Sequence, residues 1–283
     1  MNWKVLFYAA SVFILAESVW AGKGVIPLAK NAIAYQHVER AIVLWNGREE
    51  IIVIANDIAA SDEIPVLELM PFGSRPQMRI GKIEWFRKAF DLTDLFKEDK
   101  CEEVELSEYL IRMESALQRT ILPTKMEVWE TRNFTSFEQW LMDTLREAYC
   151  VEELPTGFIP IMLNYFNRRF RFWGVDYVDA GLIGRMVSPI EYRFPSKRFY
   201  YPTMMTSANS GPVTLVVFAV THKPITFSPM YGMTICGPIK VRKNELTGIH
   251  DEINKFFGSD TVYFTMLKFS GQAVELKFDL LCR

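Results

Sequence analysis

The chain lacks most of the short motifs and reactive residues by which catalytic sites are usually recognised. Of its 283 residues, three are histidine and four are cysteine. The cysteines are too far apart to form a C-x-x-C zinc or redox motif. The G-x-S-x-G, H-E-x-x-H, G-x-x-x-x-G-K-[ST] and complete G-x-G-x-x-G motifs are also absent. The sequence therefore does not indicate a common hydrolase, zinc protease or nucleotide-binding enzyme, and it predicts no cofactor.

Neither sign of charge is in marked excess. Lysine and arginine number 32, aspartate and glutamate number 34, and the formal net charge is -2. This balance gives no general attraction to nucleic acid or anionic lipid, so we expect no nucleic-acid partner. Hydrophobic residues make up 49% of the chain and charged residues 23%, which is the composition of a globular protein with enough apolar side chain for a core.

One long hydrophobic run stands out, and it lies at the N-terminus. Lys4 precedes an apolar stretch at residues 5–16, and the small residues Val19 and Ala21 stand three positions and one position before a cleavage point. This order is typical of a secretory signal peptide that is cut after Ala21. We therefore expect residues 1–21 to be removed and the protein to be secreted or periplasmic.

The competing interpretation of this run is a transmembrane anchor. A membrane span needs about 20 apolar residues, and Glu17 interrupts the run too early. No second long apolar run follows it. We therefore expect no stable membrane insertion after the signal is removed.

The four cysteines, Cys101, Cys150, Cys236 and Cys282, all follow the predicted cut. An oxidising compartment favours disulfide bonds, and four cysteines allow three pairings between which the sequence does not choose. We favour Cys101 with Cys150 and Cys236 with Cys282, because each bond would close a loop within one half of the chain. The alternative is four buried free thiols.

Residues 22–170 are predicted to form a hairpin followed by helices. Asn46 and Gly47 separate two apolar arms, at about residues 34–45 and 48–56, and favour a type I′ turn with positive φ at both positions. The arms contain branched aliphatic runs without polar alternation. Both faces of the hairpin should therefore be covered.

Amphipathic periodicity predicts helices in the rest of this region. Two helical stretches lie in residues 82–118, a capping box of Thr135 and Glu138 begins another helix, and Pro155 suits the first position of the next one. Residues 171–283 are rich in branched and aromatic residues and are predicted to be mostly β. We expect an α+β fold with mainly antiparallel sheets and several packed amphipathic helices, the two regions forming one globular unit.

Several stretches, taken in order, resemble an exported bacterial family that is known only as a domain of unknown function (DUF2330-like). They are IVLWNGREEIIVIAND, VLELMPFGSRP, FTSFEQWLMDTLREAY, LNYFNRRFRFWGVDYVDAG and PIEYRFPSKRFYYPTMMTSANSG. The resemblance extends from about residue 35 to residue 225, and it implies export and a shared fold but no catalytic residues. Where the family leads us to expect a glycine after the helix at 155–167, this chain has Asn167-Arg168-Arg169. Asparagine is the next-best residue for a left-handed cap.

The candidates for metal binding are dispersed: His37, Glu39, His222 and His250. His37 and Glu39 form an H-x-E on a predicted strand, where alternation would place both side chains on one face, about 7 Å apart. A solvated strand end is the simpler interpretation of this pair. His222 lies in a predicted loop, and His250 lies in the first turn of a short predicted helix.

Three further patterns each have a functional and a structural interpretation. Asp176 and Asp179 could form the carboxylate pair of a glycosidase, but residues three apart on a strand point to opposite faces. The segment NRRFRFW alternates arginine with phenylalanine, as some nucleic-acid-binding strands do and as a half-buried strand also does. The segment RFYYPTMM could line a ligand groove, although packing in the core is the default expectation for aromatic residues.

These observations favour an exported, non-enzymatic binding or structural-interaction domain. The alternative is a hydrolase or metal-dependent enzyme whose site assembles from distant positions, such as the four metal-binding candidates. A third hypothesis is an assembly component that presents an unpaired, uncharged strand edge to a protein partner.

Overall fold

The chain folds into a mainly β structure. The computed structural model describes residues 23–99, 120–155, 157–208, 212–227 and 232–282. Within these residues, strands account for 45% and helices for 22%, so the predicted α+β class, with several amphipathic helices packed on mainly antiparallel sheets, is wrong. The strand content was underestimated because several strands are short; those at 24–27 and 77–80 have only four residues each.

The bounds of the elements are as follows. The strands of the described residues are β1 (Gly24–Pro27), β2 (Ala34–Trp45), β3 (Glu49–Ala60), β4 (Ile64–Phe72), β5 (Gln77–Ile80), β6 (Lys125–Glu130), β7 (Phe172–Ala180), β8 (Arg185–Met186), β9 (Ile190–Pro195), β10 (Phe199–Tyr201), β11 (Pro212–Thr221), β12 (Met233–Arg242), β13 (Thr261–Gln272) and β14 (Leu280–Cys282). The helices are α1 (Ile83–Asp91), α2 (Phe134–Tyr149), α3 (Phe158–Asn167), α4 (Thr203–Thr206) and α5 (Ile253–Phe256), with 3₁₀ segments at Leu92–Asp99 and Ala273–Glu275.

The strands form two main sheets and one small pair. The larger sheet has the order β12-β13-β11-β2-β3-β9-β5, with β8 also paired to β3, and the smaller sheet has the order β1-β4-β7-β6. Strands β10 and β14 pair with each other. Neighbouring strands run antiparallel except β2 and β11, which are parallel. Both of the regions that the sequence distinguishes, 22–170 and 171–283, contribute strands to each main sheet.

The central hairpin β2–β3 is covered on both faces, as its apolar arms predict. Ile42 and Leu44 point to one side, where they belong to a core shared with α1. Val43 points to the other side and shares a core with Phe72 of the smaller sheet. The far face of the smaller sheet is covered by α2 and α3, through residues such as Phe137. Burial of each large apolar side chain contributes roughly 1.5–3 kcal/mol, so these layers account for most of the stability of the fold.

The hairpin turn is shifted by one residue from its predicted position. The Asn46 N–H donates to the Glu49 carbonyl oxygen at 3.2 Å, so Gly47 and Arg48 are the central residues. Of the two, only Gly47 has a positive φ, at 88°. The Asn46 Oδ1 accepts hydrogen bonds from the N–H groups of Arg48 and Glu49 at 2.9 and 2.8 Å. The predicted type I′ turn is therefore wrong, because Asn46 does not enter the left-handed region.

Helices α2 and α3 also begin at residues other than those predicted. Asn133 is the N-cap of α2, and its side chain accepts a hydrogen bond from the Thr135 N–H at 2.9 Å. Helix α3 begins at Phe158, three residues after Pro155. After α3, the residue with the left-handed conformation is Arg169, with φ 68°, and not Asn167, the residue suggested by the sequence. The second helical stretch predicted within 82–118 lies outside the described residues.

Both disulfide pairings that we favoured are wrong. Cys150 and Cys282 are free thiols, and each favoured pairing includes one of them. Cys150 is exposed at the C-terminal end of α2, where its φ is 55°. Cys236 is buried in β12, and Cys101 lies outside the described residues.

Among the described helices, none is both long enough and apolar enough to cross a membrane. The predicted signal peptide, residues 1–21, lies outside the described residues. Cleavage after Ala21 and export therefore stay predictions.

Candidate functional site

A pocket of about 540 Å³ opens where three turns of the chain meet. One turn follows β4, one follows α3, and one joins β9 to β10. Pockets that hold small ligands have volumes of roughly 300–1,000 Å³, so this one is large enough for such a ligand. We call it the basic pocket, and its defining residues are Arg168, Phe170, Phe194, Lys197, Arg198 and Tyr200.

Aromatic rings form the walls of the basic pocket. The ring centres of Phe170 and Tyr200 are 5.2 Å apart, and those of Phe194 and Tyr200 are 6.5 Å apart. Tyr200 is held from both ends, because its hydroxyl donates to the Pro71 carbonyl oxygen at 2.8 Å and its N–H donates to a Glu50 oxygen at 2.9 Å. Burial raises the pKa of Tyr200 well above its usual value, so this wall is neutral and flat.

Arg168 is placed in the basic pocket by the end of α3 and by a buried acid behind it. Its Nη1 atom lies 2.7 Å from Oδ2 of Asp279, whose side chain is fully buried. The other Asp279 oxygen accepts hydrogen bonds from the Tyr165 hydroxyl at 2.6 Å and the Met204 N–H at 3.0 Å. Burial raises the pKa of Asp279, and the Arg168 charge opposes that rise. Asp279 therefore fixes Arg168, while 31% of the Arg168 side chain stays exposed.

Two further cations stand at the rim. Lys197 and Arg198 occupy the turn between β9 and β10, and both side chains are exposed. Within the described part of the chain, neither forms an ion pair with a carboxylate, and no carboxylate lines the pocket. The lining thus carries three formal positive charges, of which only that of Arg168 has a counter-ion. Such an arrangement attracts anions.

The hydroxyl groups in the pocket wall are already engaged. The Ser74 Oγ donates to the Pro195 carbonyl oxygen at 2.6 Å, and the Ser196 Oγ donates to the Arg198 carbonyl oxygen. The lining residues include no imidazole and no carboxylate that could act as a general base. The described lining is therefore suited to binding and offers no nucleophile with an adjacent base.

A β-bulge separates the two residues of the predicted H-x-E metal site. Between Gln36 and Val38, β2 contains one residue more than its partner β3, which breaks the alternation of faces. His37 is exposed. Glu39 is fully buried and accepts a hydrogen bond from the Tyr201 hydroxyl. Burial raises the pKa of Glu39 to about 8, although the Tyr201 hydrogen bond opposes the rise.

The other two metal candidates have partners of their own. His222 packs against Trp45 with ring centres 4.7 Å apart, and burial lowers its pKa. His250 is buried; its Nδ1 accepts from the Glu252 N–H at 3.1 Å, so Nε2 donates to Glu191 at 3.0 Å. No hydrogen bond or ion pair joins any two of the four candidates. No group of three or more His, Cys, Asp or Glu residues in the described ranges could hold a metal ion.

The basic pocket was not predicted from the sequence, although two of the segments that form it are distinctive in composition. The arginines of NRRFRFW were considered as a nucleic-acid-binding or half-buried strand, and the aromatics of RFYYPTMM as a ligand groove or part of the core, but the two segments were treated separately. In the structure, Arg168 and Phe170 come from the first segment and Arg198 and Tyr200 from the second. The only signal in the sequence was that both segments combine arginine with aromatic residues.

Comparisons with known proteins assign no family. No protein-family model matches the chain, and no curated protein matches it. A similar solved structure is the crystal structure of baculovirus P35, which is 8% identical, with coverage of 90% of this chain and 97% of that one and a TM-score of 0.45. This likeness is too distant to assign a function. The resemblance to the DUF2330-like family stays a prediction.

Proposed function

We propose that the protein is a non-enzymatic binding domain that holds an anionic ligand with a flat apolar body in the basic pocket. The observation that carries the proposal is that the described residues of the lining combine three cations and aromatic walls with no carboxylate. Arginine presents a planar fork that suits carboxylate and phosphate groups. The aromatic rings offer a surface on which a planar or apolar group can pack.

A direct binding measurement tests this proposal. We expect 1-naphthyl phosphate to bind the purified protein, and the neutral analogue 1-naphthol to bind much more weakly, as measured by isothermal titration calorimetry. The double variant Lys197→Ala/Arg198→Ala should lose about 10- to 100-fold in affinity for the phosphate, because it removes two hydrogen-bonding cations whose exposed contacts contribute about 0.5–1.5 kcal/mol each. The loss should diminish at high salt.

The chain offers a matched control for that variant. Lys240 and Arg242 are an exposed lysine and arginine on β12, at the opposite end of the larger sheet from β9. Lys240→Ala/Arg242→Ala removes the same charges and should leave affinity for the phosphate within about twofold of wild type. Equal binding of the neutral and anionic probes, or equal losses in the two double variants, would overturn the proposal.

The hypothesis of an open strand edge receives less support. An edge that accepts a partner strand should be unpaired and free of charge and proline. The outer strands of the larger sheet carry Arg79 in β5 and Pro238 and Lys240 in β12. In the smaller sheet, β6 begins with Lys125 and ends with Glu130, and β1 is buried along its length.

Export remains part of the proposal and has its own test. Full-length protein expressed with its N-terminus intact should be recovered from the periplasm or the medium, and N-terminal sequencing should begin at Gly22. Recovery of the unprocessed chain from the cytoplasm would contradict export without affecting the binding proposal.

A further inference from the structure

Lys23 is buried between the two main sheets with two carboxylates around its amine. Its side chain is 2% exposed. Nζ lies 2.9 and 3.0 Å from the two carboxylate oxygens of Asp176 and 3.1 Å from Oε2 of Glu68. Lys23 immediately precedes β1, Glu68 lies in β4 and Asp176 in β7, and these three strands are neighbours in the smaller sheet. A buried ion pair contributes little stability relative to apolar residues of the same volume. Stability alone therefore does not account for the presence of this cluster, and we ask which reaction its groups could carry out.

We propose that Lys23 and Asp176 form an intramolecular amide bond within the folded chain, with Glu68 as the group that moves protons. The Lys23 ammonium first transfers a proton to Glu68. The free amine then attacks Cγ of the protonated Asp176 carboxyl group, and a C–N bond forms. Glu68 gives its proton to the departing hydroxyl and takes the second proton from the nitrogen. One amine and one carboxylic acid thus become one amide and one water, and no oxidant, metal or cofactor is required.

The distances suit this reaction. An atom about 3 Å from both oxygens of a carboxyl group lies within about 3.5 Å of the carbon between them, which is a near-attack separation. The Tyr192 hydroxyl donates to Oδ1 of Asp176 at 3.2 Å, where it would stabilise negative charge on the tetrahedral intermediate. Lys23 contacts both oxygens of Asp176 but only one of Glu68, and this favours Asp176 as the acceptor of the amine.

Asn56 holds Glu68 in the position that proton transfer requires. The Asn56 Nδ2 donates to Oε1 of Glu68 at 2.7 Å, which leaves Oε2 facing the Lys23 amine at 3.1 Å. The side chains of Glu68 and Asp176 are fully buried. Water released by the condensation would leave a site that excludes solvent, and hydrolysis of the product would be slow for the same reason.

The charge states of the cluster are compatible with this sequence of steps. Burial raises the pKa of Asp176 well above its usual value, against the opposing charge of Lys23, and this favours the protonated acid. Burial acts to raise the pKa of Glu68 and is the largest single effect, but the charge of Lys23 and the hydrogen bonds from its neighbours together lower that pKa, so Glu68 begins as a carboxylate. Burial acts to lower the pKa of Lys23, but the charges of Asp176 and Glu68 raise it. The amine therefore needs Glu68 as a proton acceptor.

Intact mass spectrometry of the denatured full-length protein tests the proposal directly. With both termini fixed by sequencing, we expect a mass about 18 Da below that of the sequence, which corresponds to the loss of one water in forming the bond. Peptide mapping should show the segment that contains Lys23 joined to the segment that contains Asp176, and trypsin should not cut after Lys23. A wild-type mass equal to that of the sequence would overturn the proposal, because the cluster would then be an ordinary buried ion pair.

Three variants separate the bond from other sources of mass loss. Glu68→Gln keeps the shape of the side chain but cannot accept the proton, and Lys23→Arg keeps the positive charge but removes the primary amine. When denatured, each of these two variants should have the mass calculated from its own sequence, with no deficit. Each should also have a lower melting temperature than the wild type. Lys30→Arg, at an exposed lysine, should retain the deficit of about 18 Da. Because the bond forms only in the folded chain, the circular dichroism spectrum of each variant should match that of the wild type before its mass is read. A deficit that persists in Lys23→Arg would refute the assignment.

Discussion

The wild-type protein should become less stable between pH 5 and pH 8 because of Glu39, and the variant Glu39→Gln should not show this loss of stability. Glu39 is fully buried, and burial raises its pKa to about 8. The folded chain therefore keeps this carboxyl group protonated over a range in which the unfolded chain releases the proton. A group whose pKa is raised by folding contributes stability that is present below the unfolded pKa and is lost as the pH rises through the folded pKa.

The size of the Glu39 effect follows from the same linkage. For each pH unit between the unfolded and folded pKa values, the free energy of unfolding falls by about 1.4 kcal/mol. Titration of Glu39 should therefore lower the free energy of unfolding of the wild type by roughly 4 kcal/mol between pH 5 and pH 8. Urea unfolding at pH 5, 6.5 and 8 measures the free energy of unfolding for both proteins, and the difference between them should grow with pH in favour of the glutamine variant. Glu153→Gln, at an exposed position, is the control and should follow the wild type. Parallel pH profiles for wild type and Glu39→Gln would show that Glu39 titrates normally.

Replacing Asp279 by alanine should lower the free energy of unfolding by about 3 kcal/mol, because it leaves partly buried donors without an acceptor. The Tyr165 hydroxyl, the Met204 N–H and the Arg168 guanidinium all converge on this carboxylate. The same variant should weaken binding of 1-naphthyl phosphate, because Arg168 loses the group that orients it. Urea unfolding and calorimetry measure the two effects.

The chain contains an aspartate that serves as a control for Asp279. Asp260 forms an ion pair with Lys243, but its side chain is 94% exposed, so Asp260→Ala should change stability by less than about 1 kcal/mol. Similar effects of the two substitutions would mean that the buried acid does not organise the wall of the pocket. A stability loss in Asp279→Ala with unchanged phosphate affinity would restrict its role to holding β14 in place.

The central hairpin could be predicted from the sequence, and the reason is local. Its two apolar arms and the Asn46-Gly47 pair lie within one short segment. Strand β2 forms with the expected bounds, whereas β3 ends at Ala60, four residues beyond the predicted arm. The turn type could not be predicted, because it depends on which hydrogen bonds the Asn46 side chain makes. The predicted fold class was wrong because strands as short as β1 and β5 give little periodic signal. The sheet order could not be predicted either, because the pairing of β2 with β11 joins segments that are far apart in the chain. Periodicity within a window contains no information about such a pairing.

The candidate site was beyond sequence analysis for the same reason. Arg168 and Arg198 lie in separate segments whose closeness depends on how α3 and β9 pack. Asp176 was considered only with Asp179, as a possible glycosidase pair, whereas the structure places it in a buried cluster with Lys23, which precedes it by 153 positions. Alternation correctly predicted that Asp176 and Asp179 face opposite ways, since one is buried and the other exposed. It failed for His37 and Glu39, because a bulge has no reliable signature in one sequence.

The parallel contact between β2 and β11 also constrains the order in which the chain can assemble. Val38 is paired with Thr214, so the apolar edge of β2 stays open during synthesis until β11, which begins at Pro212 in a chain of 283 residues, has emerged. An exposed apolar strand edge is a template for association with other chains, and such distant pairings form slowly. A product that is truncated before β11 would keep this edge unpaired, and we expect it to aggregate more readily than the full chain.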